Sequence, residues 1–415
     1  MKILRLSATA ALLAGVAVPA LAQEIRMYTL DERIAPFIEK FEAENPSMTV
    51  KYEVVPYQQV LESLPVQLAA GEGPDVSLTT DFGGLSKYYL DLSPYVDAAY
   101  FEKEFGQTLG WLRGDNKDSK AIYGVVDSMT VNGGYVNLTL FEQAGVEVPP
   151  EGATWDDWAV AAKKVSDAVG TDYPMAMDRS GHRFASLAIS YGAEMVSPDG
   201  KPVLDEGFKK AFETFVQWHK DGTMPMNLWG AVGGAKTIDQ FDDFVNAKTP
   251  FYFGGSWTLR DMDSKVGDAF DWKVVPSPCG PSSCTAMPGG GALVGFTHTK
   301  HPEVVGKFLN FLAQPENLKE LVVGATNVPA ATSLVESGLE YPGISPRVQE
   351  GLDTFTKQIP KMAPAAYNFQ GWRFQRAMMN AETTRISQVL TGELDIDTAM
   401  ARIKEDVDLA IQAAQ

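Results

Sequence analysis

The sequence predicts an α/β protein built on largely parallel sheets. Two observations carry this expectation. Short apolar runs of strand length alternate with stretches whose apolar residues recur at helical spacing, the pattern of successive strand–helix–strand units. No repeat or low-complexity tract breaks the alternation across 415 residues, and 45% hydrophobic content suits a large buried core.

The elements follow in order. Residues 25–30 read as the first strand. Ile34, Phe37, Ile38 and Phe41 then recur at i, i+3, i+4 and i+7, one face of a helix that Asn45-Pro46 ends. Residues 49–55 form the second strand. Leu61, Leu64 and Leu68 give a further helical stripe, blurred by Pro65, and the turn Gly71-Glu72-Gly73-Pro74 leads into a third strand over 75–79. Thr154 stands where a helix N-cap is needed before Trp155, Trp158 and Ala162. Phe208, Phe212 and Phe215 mark an amphipathic helix over 208–219. Residues 249–254 and 293–297 read as strands, and Val304, Phe308 and Leu312 as the helix after the second of these. The stretch 370–415 is mostly helical.

The first 22 residues have a separate logic. Lys2 and Arg5 precede an apolar run from 6 to 18, and Ala20-Leu21-Ala22 gives small residues at a cleavage site. This is the pattern of a secretory signal peptide over 1–22, and the run is too short for a membrane span, which needs about 20 apolar residues. Cleavage would leave a chain starting near Gln23. Losing two positive charges and no acid would take the net charge from −18 to −20. Such an acidic surface argues against nucleic acid or an anionic membrane as the main partner. Cys279 and Cys284 are the two cysteines, with Gly280-Pro281-Ser282-Ser283 between them. In an oxidising compartment this reads as a small-loop disulfide; no C-x-x-C spacing or neighbouring histidine favours a metal or redox pair. No catalytic elbow, zinc-binding helix motif or phosphate loop is present, and His298 and His301 read as part of a strand-to-helix turn.

Several local pieces carry a resemblance. In order they are Phe41-Glu42-x-x-Asn45-Pro46, Ala70-Gly71-Glu72-Gly73-Pro74-Asp75-Val76, Ile122-Tyr123-Gly124-Val125, Tyr135-Val136-Asn137, Phe253-Gly254-Gly255-Ser256-Trp257 and Pro288-Gly289-Gly290-Gly291-Ala292-Leu293. Together they resemble the bacterial extracellular solute-binding proteins of ABC sugar importers, of the maltose-binding-protein-like type. Leu138 stands where that family usually has a lysine. The resemblance implies a two-lobed periplasmic binding protein fold, type II-like, with a ligand cleft between the lobes and hinge closure around the ligand. It implies lobes of 23–131 plus 289–328 and of 132–288 plus 329–415. It implies a monomeric periplasmic protein without catalytic activity, cofactor or metal, whose partners are a small carbohydrate and the importer's permease subunits. A secreted carbohydrate-active hydrolase and a binder of a non-sugar solute such as a polyamine are the alternatives.

A sugar offers hydroxyls at its rim and C–H faces above and below, so carboxylates, arginines and aromatic rings are the expected contacts. The resemblance points to Asp81 and Asp127 for hydroxyls, and to Trp257 and Trp372 as stacking platforms. Arg373 adds a bidentate donor, and Asp31 is either a ligand contact or the N-cap of the first helix. Gly290 and Gly291 can present backbone groups without a side chain in the way. Tyr28 and Trp229 are weaker candidates. Arg179, His182 and Arg183 form a basic cluster, read either as a solvated helix start or as a hold on an acidic or sulfonated sugar.

Overall fold

The computed structural model describes residues 23–114, 119–230 and 232–414. The expected signal peptide lies outside the described residues. The strands are β1 (Gln23–Thr29), β2 (Met48–Val54), β3 (Val76–Thr79), β4 (Gly124–Asn137), β5 (Met175–Met177), β6 (Met195–Val196), β7 (Pro202–Val203), β8 (Phe251–Gly255), β9 (Trp272–Val275), β10 (Pro288–Gly295) and β11 (Val328–Pro329). Apart from the β6–β7 ribbon, they join into one sheet with the path β2-β1-β3-β10-β4-β8-β5, β9 and β11 also pairing with β4.

That sheet has two halves. In the first, β1 runs parallel to β2 and β3, and β10 lies antiparallel between β3 and β4. In the second, β4 pairs antiparallel with β8 and β9, and β5 runs parallel to β8. The long strand β4 belongs to both. Its residues from Gly124 to Val131 pair with β10, and those from Asn132 to Val136 pair with β8. Parallel strands need covered faces, and helices supply the cover. Helix Ala35–Glu44 buries Phe37, Ile38 and Phe41, and Phe41 meets Phe308 of helix Pro302–Leu312 at 5.2 Å. In the second half, helix Glu206–Lys220 buries Phe208, Phe212 and Phe215 around Phe184.

Most expected elements are present, with shifted ends, but the sheet is mixed rather than largely parallel, because β8, β9, β10 and β11 all run antiparallel to β4. Thr154 caps helix Trp155–Val169 in a full capping box with Asp157. Helix Tyr57–Ala69 contains Pro65, and it is Val60, not Leu61, that joins Leu64 and Leu68 in the core. The strand expected at 293–297 runs from Pro288 to Gly295, so Gly289–Gly291 are strand residues. Gly290 has φ +141°, and a Cβ there would lie 2.4 Å from the Ser128 carbonyl oxygen, so the close pairing of β10 on β4 requires glycine.

Cys279 and Cys284 form a disulfide, with Cα atoms 3.9 Å apart. The backbone of Cys279 bonds to Ala153 and Trp155, which fixes the cysteine loop to the start of helix Trp155–Val169. Among the described residues, no helix is long and apolar enough to cross a membrane.

Candidate ligand-binding site

A cavity of about 550 Å³ opens between the two half-sheets. Its walls come from segments leaving the carboxyl ends of strands in both halves, where open α/β sheets place their ligands. Asp31 follows β1, Thr80 follows β3, Asp178 follows β5 and Trp257 follows β8; all four line the cavity. Asp127, Gly290 and Gly291 line it from β4 and β10. Helix Gln375–Leu390 contributes Gln375, Arg376 and Met379.

Asp31 is both a wall residue and a cap. Its Oδ1 accepts from the Arg33 backbone N–H at 2.9 Å and from Arg33 Nε at 2.8 Å. The Arg33 side chain holds the Asp31 carboxyl below the usual range. Asp127 behaves oppositely. Burial pushes its carboxyl up to about 6, against the pull of backbone and Ser128 donors and of Arg33. Its Oδ1 is out of solvent and has no hydrogen-bond partner. A buried acceptor left unpaired costs about 1–3 kcal/mol, so Asp127 is an acceptor held ready for a donor. Asp239, also in the wall, is raised by burial and by Asp178 and Asp242.

Trp257 is 37% exposed. A Cβ on Gly255 would come 1.8 Å from its ring, so the glycine before it lets the indole lie against the strand end. The Arg183 guanidinium sits 4.1 Å from the indole centroid. Arg183 in turn donates from Nε at 3.0 Å and Nη2 at 2.8 Å to Oδ2 of the buried Asp178. The other Asp178 oxygen accepts from Tyr252 Oη at 2.8 Å and the Gln240 N–H at 3.0 Å. His182 Nε2 faces the Pro288 carbonyl at 3.0 Å and its Nδ1 faces Arg183 Nη1 at 3.2 Å. A carbonyl only accepts and a guanidinium only donates, so the imidazole is neutral with its proton on Nε2. Burial and the Arg183 charge lower its pKa to about 3, consistent with that state.

Of the eight expected contacts, the cavity wall includes Asp31, Asp127, Trp257, Gly290 and Gly291, and it does not include Asp81, Trp372 or Arg373. Each exception has a local cause. Asp81 turns back on its own loop, its Oδ1 accepting from the Gly84 N–H at 3.2 Å. Trp372 is 6% exposed, packs on Phe369 and Phe374, and donates from Nε1 to the Gly200 carbonyl at 3.0 Å. The Arg373 guanidinium lies over the Phe374 ring at 5.4 Å. The wall arginine of this region is Arg376, one turn beyond Trp372, whose Nη2 donates to Thr80 Oγ1 at 3.4 Å.

The basic cluster is not a solvated helix start. Arg179 is buried and donates from Nη2 to the Val232 and Gly234 carbonyls and to Ser387 Oγ, away from the cavity wall. His182 and Arg183 face the cavity, but Asp178 balances the arginine. Trp229 is a core residue at 1% exposure, and Tyr28 is buried outside the main cavity. Sequence reasoning missed Asp178, Asp239 and Arg376. Asp178 had a signal: it directly follows a short apolar strand.

The fold is shared with solved proteins. An ABC substrate-binding protein of Listeria monocytogenes, solved in complex with cycloalternan, superposes with a TM-score of 0.77 at 18% identity, covering 94% of this chain and 99% of that one. A binding protein of Brucella abortus (strain 2308) is 26% identical over 326 residues, 74% of this chain and 77% of the relative. The maltodextrin-binding protein MdxE of Bacillus subtilis (strain 168) is 26% identical over 371 residues, 81% of this chain and 80% of the relative. These relatives are binding proteins, and the architecture is the two-lobed one they share. The model of the family described as bacterial extracellular solute-binding protein matches residues 29–319, well over half of the chain, and the chain therefore belongs to that family.

Proposed function

We propose that this protein captures a carbohydrate and delivers it to the permease subunits of an ABC importer, closing two lobes around the sugar. The observation that carries the reading is the wall chemistry: a part-exposed indole, Trp257, shares one cavity with the unpartnered acceptor Asp127 Oδ1. An aromatic face and a buried hydrogen-bond acceptor are what a sugar's C–H face and hydroxyls require. The ligand names of MdxE and the Listeria protein, maltodextrin and cycloalternan, support the same class.

The charges bear on which carbohydrate. Asp31 pairs with Arg33 and Asp178 with Arg183, so the two ion pairs largely cancel. That balance supports a neutral mono- or oligosaccharide or polyol over an acidic or sulfonated sugar. The lobes we propose are 23–131 plus 289–328 and 132–288 plus 329–415. The change of β4 partners between Val131 and Asn132, and the start of β10 at Pro288, support the limits at 131/132 and 288/289. Family membership supports a location outside the cytoplasm, which we read as periplasmic, and we read the protein as a monomer that binds without turnover.

Calorimetric titration of the purified protein with a panel of monosaccharides, maltodextrins, polyols and uronic acids tests this. Binding of a neutral sugar without release of product is expected. A ligand at 100 times its Kd should add about 2.7 kcal/mol of stability. No heat and no thermal shift with any carbohydrate would refute the carbohydrate reading, and product release would favour a hydrolase.

A further inference from the structure

We propose that Arg183 is the positioning residue for Trp257, resting on the reading of Trp257 as the sugar platform. The indole follows the end of β8, and among the described residues its ring nitrogen has no hydrogen-bond partner, so ring contacts set its tilt. The guanidinium 4.1 Å from its centroid is the charged group that stacks on it. A planar cation over an indole face is attracted by the ring quadrupole, and arginine adds planar stacking that a lysine ammonium lacks.

A stack orients a ring only if the stacking partner is itself fixed, and Arg183 is fixed on two sides. Nε and Nη2 both reach one oxygen of Asp178, a carboxylate that is 1% exposed and further held by Tyr252 and Gln240. Nη1 reaches His182 Nδ1, whose ring is tied through Nε2 to the Pro288 carbonyl. Pro288 opens β10 and pairs with Val131, the last β4 residue before the strand changes partners. The unit Asp178–Arg183–His182 therefore connects the platform to the strands that join the two half-sheets. Three of the five Arg183 N–H donors are committed to Asp178 and His182, which fixes the guanidinium plane against the indole, and Arg183 acts on the ligand through Trp257.

The test compares wild type with Arg183→Lys, Trp257→Ala and the double variant in the full-length secreted chain. Arg183→Lys keeps the charge opposite Asp178 and removes the planar stack. Without ligand, the Trp257 emission, obtained by subtracting Trp257→Phe, is expected to shift and become more open to acrylamide quenching. With maltotriose as probe, Arg183→Lys is expected to weaken binding about three- to tenfold in the wild-type background. In the Trp257→Ala background it is expected to change nothing further. Asp178→Asn, which loosens Arg183 without touching the indole, should shift the Trp257 emission in the same direction. Additive losses in the double variant would overturn the proposal, because Arg183 would then act on the ligand directly. Unchanged Trp257 emission in both Arg183→Lys and Asp178→Asn would also overturn it. A wild type that binds no sugar sinks the carbohydrate reading instead, and the ligand-free emission still decides the role of Arg183.

Discussion

Asp127→Asn, compared with wild type across pH, is the sharpest probe of the cavity. The Asp127 carboxyl is raised to about 6 by burial, and its Oδ1 has no partner. Because it is raised, its contribution to the stability of the unliganded protein is full below the ordinary carboxylate range and is lost as pH climbs toward 6. Ligand binding runs the other way. A sugar hydroxyl donating to Oδ1 favours the ionised carboxylate, so affinity should rise with pH through 6 and level off above about 7. At pH 5 about one carboxyl in ten is ionised against about nine in ten at pH 7, so the loss on acidification is about tenfold. A hydrogen bond to a charged group contributes about 1.5–3 kcal/mol, so Asp127→Asn should cost about ten- to a hundredfold in affinity at pH 7 and flatten the profile. His182, neutral down to about 3, adds nothing in this window. Asp239 is also raised, and the flat profile of the Asn variant separates its effect from that of Asp127. Calorimetry at pH 5, 6 and 7.5 in buffers of different ionisation enthalpy reads both affinity and proton release. Equal wild-type affinity at pH 5 and 7.5, with no proton released, would refute the assignment.

Three further outcomes are expected. Glu382 is fully buried, both carboxyl oxygens lack partners, and burial raises its pKa well above normal. Glu382→Met should therefore stabilise the protein at pH 7 to 8, since each pH unit over which only the native carboxyl keeps its proton costs about 1.4 kcal/mol; urea melts showing no gain over pH 5 would contradict this. Gly290→Val should destabilise by more than about 2 kcal/mol and lower ligand affinity, as a side chain meets the Ser128 carbonyl oxygen at a positive φ; an unchanged melting temperature would show that β10 can move off β4. Cys279→Ser should lower the melting temperature by removing a cross-link worth about 2 kcal/mol, and dithiothreitol should reproduce the effect in wild type but not in the variant.

Much of the scaffold was legible because local chemistry and tertiary structure agree there. The Phe37–Phe41 stripe, the Thr154 cap and the Phe208–Phe215 face each bury what their spacing says they bury. The strand at β10 reads short in the sequence because Gly289–Gly291 have no side chains to show a strand pattern. Strand status there comes from pairing with β4, a partner more than 150 residues away in sequence. The site was legible where a residue directly follows a strand, as with Asp31 and Trp257. It was not legible in the last helices, where one turn decides whether a side chain faces the cavity or the core. Trp372 found a buried carbonyl, and Arg376 took the wall. Nor does sequence reveal that Asp178 neutralises Arg183, since that pairing depends on how β5 delivers the chain to helix Gly181–Ser190.

The placement of β10 has a consequence for how the chain comes to be folded at all. In space it lies between β3 and β4, yet it follows β3 by 208 intervening residues. Until Pro288–Gly295 has been synthesised, the first half-sheet lacks the strand that joins β3 to β4, and both present open edges. At about 5–20 residues per second, the wait between finishing β3 and starting β10 is roughly 10–40 s on the ribosome. The amino-terminal half therefore cannot complete its sheet first and wait for the rest. A nascent chain delayed in this way closes its native sheet only after most of it has been made.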